Sequence, residues 1–128
     1  MIWVDLVTLL AALEFLAFGG LVGRARETYG VKAPATTGNA EFERYFRAQQ
    51  NTLETLIVFL PALWIAAHYW SAAWMAAIGV VYLVGRIVYF RGYVSDPSAR
   101  HIGYLLSIVP VVALILLGLA GIARALLG

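Results

Sequence analysis

Four apolar stretches, each about 18–24 residues long, limit this chain more than anything else in it, because a run of that length spans the hydrocarbon core of a bilayer as one helix. They run from about Ile2 to Gly23, Thr52 to Tyr69, Ala72 to Phe90 and Ile102 to Leu127. Hydrophobic residues make up 62% of the 128 positions and charged residues 12%. A water-soluble domain is nearer half apolar and a quarter charged, so the composition specifies an integral membrane protein. The expected fold is all-α, a four-helix membrane bundle in one domain spanning residues 1–128, with helices over about 2–23, 40–69, 72–94 and 97–127.

The connections refine that picture. Only a tight turn near His68–Ser71 separates the second and third stretches, which predicts an antiparallel hairpin. The longest polar segment, Arg24 to Gln50, contains an irregular stretch with Pro34, Gly38 and Asn39, and turns helical from Ala40. Ser95 or Asp96 is suited to cap a helix opening at Pro97, which puts Arg100 in its first turn. Pro61, inside the second helix, predicts a kink. The start, MIWVDLV, has an acidic residue and no basic one, so the first stretch is expected to stay in the mature protein.

Eight of the nine basic residues lie in, or at the helix ends facing, the first and third loops, and only Arg124 lies opposite. The positive-inside rule places those loops in the cytoplasm and both termini outside. A net charge of +2 with no basic run argues against nucleic acid as a partner. The absence of cysteine excludes disulfides, cysteine-ligated zinc and a cysteine nucleophile, so any thiol chemistry needs a thiol brought in from outside. His68 and His101 lack ligand spacing, and no metal is expected.

Polar groups inside the spans are costly and mark candidate sites. At about 100° per residue, Arg47, Asn51 and Glu54 fall within about 60° of one another on the second helix, with Arg44 beside them and Gln49 and Gln50 flanking. Such a stripe suits a small zwitterion, arginine taking carboxylates and glutamate an ammonium; an internal Arg–Glu ion pair accounts for it equally well. Arg86, Tyr89 and Tyr93 share a face of the third helix, extended by Tyr82, as pocket-lining donors or as interfacial anchors. Arg100 stands alone near the membrane surface, either snorkelling or beside a substrate thiol, where its charge would favour the thiolate. Glu14, mid-span in the first helix, is a proton or cation site or a protonated residue buried between helices.

One pattern is more specific. Gly38-x-x-x-Phe42-Glu43-Arg44-x-Phe46-x-Ala48-Gln49-x-Asn51 resembles the motif of the MAPEG family, the membrane-associated proteins of eicosanoid and glutathione metabolism, among them microsomal glutathione transferases and leukotriene C4 synthase. ARETYGVKAPATTG from Ala25 looks like that family's first loop, and GRIVYFRGY from Gly85 like the end of its third helix. The resemblance implies glutathione as co-substrate, held by Arg47, Asn51, Glu54, Tyr89 and Tyr93 of one subunit with Arg26 and Gln49 from a neighbour, in a homotrimer. It implies that Arg100 activates the thiol for attack on a lipophilic electrophile, or for reduction of a lipid hydroperoxide, with Arg44 and Arg86 in support. Glu27 and Thr55 depart from residues usual in leukotriene C4 synthase, an arginine and a tyrosine. Two other readings stand beside it: a non-catalytic lipid-binding member of the family, and a small multidrug transporter suggested by chain size and Glu14.

Overall fold

The computed structural model describes residues 1–128. Its elements are α1 (Ile2–Tyr29), α2 (Ala40–Tyr69), α3 (Ala72–Ser95), a short 3-10 turn (Pro97–Arg100) and α4 (His101–Leu127), with no β-strand. All four long helices are apolar enough to cross a membrane. A wide belt of leucine, isoleucine and valine, including Leu9, Leu16, Ile57, Leu105 and Leu116, faces outward, as lipid contact requires.

α1 runs one and a half turns past the end read from hydropathy. Arg24 to Tyr29 remain helical because a helix need not stop where the bilayer does; Gly30 stops it, with φ 70°. The turn closes with the Val31 amide donating to the Arg26 carbonyl at 3.1 Å. The Asn39 side chain caps α2, accepting from the Phe42 amide at 2.8 Å. Pro61 does not end α2, which is continuous to Tyr69. The hairpin turn is Trp70–Ser71, and the Ser71 hydroxyl caps α3. Pro97 opens a 3-10 turn and not α4 itself, so Arg100 is the residue before α4, not part of its first turn. Asp96 caps that 3-10 turn, accepting from the Ser98 amide at 3.1 Å and its hydroxyl at 2.8 Å.

α2 and α3 pack against each other, and α1 and α4 each pack against both. The main core joins Val4, Val7 and Ala11 of α1 to Phe59 and Leu63 of α2, Met75 and Tyr82 of α3, and Val111 and Leu114 of α4. Lipid tails are as apolar as these side chains, so close packing and interhelical hydrogen bonds must hold the bundle together. Glycines make the tightest joint. A Cβ on Gly103 of α4 would collide with the backbone of Tyr89, and one on Gly85 of α3 would lie 2.6–2.7 Å from the backbone at Leu106 and Ser107. Trp64 Nε1 donates to Thr8 Oγ1 at 2.9 Å between α2 and α1, and Trp70 Nε1 to the Leu117 carbonyl at 2.7 Å between the hairpin turn and α4.

Candidate functional site

The polar stripe of α2 meets the tyrosine face of α3 at the end of the bundle that carries the 31–39 loop. Between them lies a cavity of about 400 Å³. α2 contributes Phe46, Arg47, Gln50, Asn51 and Glu54; α3 contributes Tyr89 and Tyr93; the loop contributes Thr36 and Thr37. All five residues expected to share one subunit's site therefore line one space. Arg47 and Glu54 are solvent-exposed and form no hydrogen bond within the chain, so no internal Arg47–Glu54 ion pair consumes the stripe. The cavity thus offers a free guanidinium, a free carboxylate and two phenols.

Beneath it lies a polar network that spacing alone did not reveal. Arg86 is completely buried. Its Nη2 donates to Asn51 Oδ1 at 2.9 Å and its Nη1 to Thr55 Oγ1 at 3.2 Å, while its guanidinium lies 4.3 Å over the Tyr89 ring. Thr55 donates its own proton to the Thr52 carbonyl at 3.1 Å, so the Tyr82 hydroxyl at 3.0 Å is a donor to it. Tyr82 in turn stacks on Phe59 with centroids 3.9 Å apart. With Oδ1 of the cavity-lining Asn51 bonded to Arg86, its amide NH₂ makes no hydrogen bond within the chain and remains available as a donor. Tyr89 is fixed three ways: by Arg86 over its ring, by Tyr93 stacked at 5.6 Å, and by Gly103 against its backbone.

The remaining candidates lie around the cavity. Arg26 donates to the carbonyl of Ala35 at 2.7 Å and lies 4.9 Å over the Phe42 ring, which ties the 31–39 loop to α1 and sets where Thr36 and Thr37 sit. Gln49 turns toward α1, its Nε2 beside Gly19. Neither lines the cavity of its own chain. Arg44 reaches the carbonyls of Val94 and Ser95 at 3.5 and 3.3 Å, fastening α2 to the end of α3. Arg100 is exposed, outside the cavity lining, and bonded to the Pro97 carbonyl at 2.7 Å. Nearby, the two hydrogen bonds from Ser98 hold the Asp96 carboxyl below the usual carboxylate range. Sequence reasoning does not single out Thr36 and Thr37; the only hint is that they lie in the irregular stretch with Pro34, Gly38 and Asn39.

Apolar grooves run along the outside of the bundle. One, of about 450 Å³, lies between α3 and α4 and is lined by Ile78, Val81, Ile102, Leu105 and Val109 among others.

Comparison with known proteins finds relatives over most of the chain. A microsomal glutathione S-transferase 2 from Homo sapiens is 42% identical over 121 residues, covering 94% of this chain and 82% of the relative. A leukotriene C4 synthase from Cavia porcellus is 44% identical over 94 residues, covering 73% of this chain and 63% of the relative. An uncharacterized protein of Synechocystis sp. is 47% identical over 106 residues, 83% of this chain and 77% of the relative. The family model that matches, over residues 4–120, reaches from the first turn of α1 deep into α4 and takes in every residue of the cavity, so this four-helix membrane protein belongs to the MAPEG family.

Proposed function

We propose that the chain is a membrane-bound glutathione transferase that places a glutathione thiolate against lipophilic electrophiles. The observation that carries this is the cavity joining Arg47, Asn51, Glu54, Tyr89 and Tyr93. Glutathione has two carboxylates, one ammonium, two peptide groups and a thiol. Arg47 suits a carboxylate through a bidentate contact, and Glu54 suits the ammonium. The Asn51 NH₂, directed by Arg86, donates to a carbonyl or carboxylate oxygen, and the tyrosine hydroxyls complete the set. Arg26 and Gln49, which lie outside their own chain's cavity, would serve a neighbour's in a homotrimer.

The chemistry needs little from the protein beyond position and charge. Arg100, at the α3–α4 junction, is held only by the Pro97 carbonyl and is free to swing toward the thiol. Its charge favours the thiolate, whose proton goes to solvent. The sulfur electron pair then forms the carbon–sulfur bond as the leaving group departs. With a lipid hydroperoxide, the thiolate attacks the terminal oxygen and the O–O bond breaks. The alkoxide takes a proton, and a second glutathione reduces the sulfenic acid to a disulfide, releasing water. Electrophiles reach the site from the bilayer along apolar faces such as the α3–α4 groove. The distribution of basic residues supports a cytoplasmic site with both termini outside.

A pH–rate profile with a generic aromatic electrophile tests the assignment. Arg100→Ala slows conjugation at neutral pH, and the loss shrinks as pH rises, because hydroxide supplies the thiolate that Arg100 no longer favours. Parallel profiles for wild type and variant would remove Arg100 from the chemistry.

A further inference from the structure

Arg86 is a cation buried inside a membrane bundle whose hydrogen-bond partners, Asn51 and Thr55, are both neutral. Its Nε has no partner at all. A charge in that position needs a counter-charge. The register of α1 against α3 identifies one. The two helices run in the same direction. Ala11 of α1 and Tyr82 of α3 belong to the same core cluster, and farther along Phe18 stacks on Phe90 with centroids 4.2 Å apart. Glu14 lies between Ala11 and Phe18, as Arg86 lies between Tyr82 and Phe90, so the carboxylate and the guanidinium occupy the same level of the bundle. Glu14 is half-buried there, on the face of α1 that carries the buried Val7, Ala11 and Phe18. No hydrogen bond joins the two, so an interaction between them acts through space, where low dielectric strengthens it.

We propose that Glu14 is a positioning residue: it balances the charge of Arg86 and thereby holds that guanidinium on Asn51 and Tyr89, which set the cavity. The consequence for ligand depends on the glutathione reading above. With Glu14 in place, Arg86 stays on Asn51 and leaves Glu54 free for an ammonium. Without it, Glu54 is the competing carboxylate toward which Arg86 turns. The ligand then loses an ordered amide donor and its anionic partner together. Glu14 was legible in sequence as an intramembrane acid, but nothing in the sequence paired it with Arg86.

The test has a ligand-free arm. The chain has two asparagines, Asn39 and Asn51, so selective labelling gives two side-chain amides, assigned with Asn39→Ser. Glu14→Gln is expected to shift the Asn51 amide resonances and leave those of Asn39 in place. Glu14→Asp, which keeps the charge, stays near wild type, as does Asp5→Asn at an exposed acid elsewhere on α1. With glutathione as probe, Glu14→Gln raises Kd roughly five- to tenfold and KM with it, while kcat is unchanged. An unmoved Asn51 resonance in folded Glu14→Gln overturns the proposal. If Glu14→Gln does not fold, the double variant Glu14→Gln/Arg86→Met, which leaves no unpaired charge, is expected to restore folding, and failure to restore it overturns the pairing. Wild-type protein that does not bind glutathione overturns the ligand assignment instead, and the resonances still decide the role of Glu14.

Discussion

Replacing Thr55 with valine removes one hydroxyl and keeps the shape of the side chain. In the structure that hydroxyl accepts from Arg86 Nη1 at 3.2 Å and from the Tyr82 hydroxyl at 3.0 Å, and both donors are buried. The substitution strands them together, and Arg86 already carries one unpartnered nitrogen. A hydrogen bond to a charged group contributes about 1.5–3 kcal/mol and a neutral one about 0.5–1.5 kcal/mol in soluble proteins. Side-chain hydrogen bonds inside membranes average nearer ~0.6 kcal/mol, with a maximum of ~1.7 kcal/mol, because the unfolded helices also find partners. Two lost bonds, one of them to a cation, therefore give a destabilisation of about 1.5–3 kcal/mol. Thr55→Ser is the control. It keeps the hydroxyl and loses the packing of one methyl group, at a cost of about 0.5–1.5 kcal/mol by analogy with a buried Ile→Val change. Reversible unfolding in mixed detergent measures both. The order wild type, then serine, then valine is expected, with Asn51 less ordered in the valine variant. A valine variant more stable than the serine variant would refute the claim that Thr55 holds Arg86 through its hydroxyl.

Two further outcomes follow from other parts of the molecule. Gly103→Ala drives a methyl group into the Tyr89 backbone, so it is expected to destabilise by at least the ~1–3 kcal/mol of an overpacked core and to weaken ligand binding through Tyr89, whereas Gly20→Ala, in open space on α1, does neither. Ser98→Cys, in a chain with no other cysteine, is expected to be shielded from an impermeant thiol reagent in intact cells and labelled after lysis; rapid labelling without lysis would place the cavity on the wrong side for cytosolic glutathione.

What was readable in advance depended on range. Hydropathy over about twenty residues and a repeat of 3.6 are local properties, so the four helices, the α2–α3 hairpin and the Arg47–Asn51–Glu54 stripe could be found without a partner helix in view. The burial of Arg86 could not. In sequence it sits among Tyr82, Tyr89 and Tyr93 near the end of the apolar run, where arginines usually snorkel, and only the packing of the other helices against α3 encloses it. Thr55, a departure from a relative's pattern, is also the acceptor that holds Arg86, which the sequence does not reveal. Thr36 and Thr37 escaped because the path of their loop is set by Arg26 reaching the Ala35 carbonyl, a contact that no periodicity encodes. The apolar run predicts an end of α1 at about Gly23, but the helix is stopped by Gly30, six residues past Arg24.

The central claim, that this cavity holds glutathione between Arg47 and Glu54, is tested most directly by calorimetric titration of the purified protein with glutathione, for wild type, Arg47→Ala and Glu54→Ala. Both side chains are exposed in the isolated chain, so each substitution is expected to cost what a charge-assisted hydrogen bond to a wet site contributes, about 1.5–3 kcal/mol, or roughly a ten- to hundredfold rise in Kd. Wild-type affinity in both variants, with the assembly intact, would contradict the assignment.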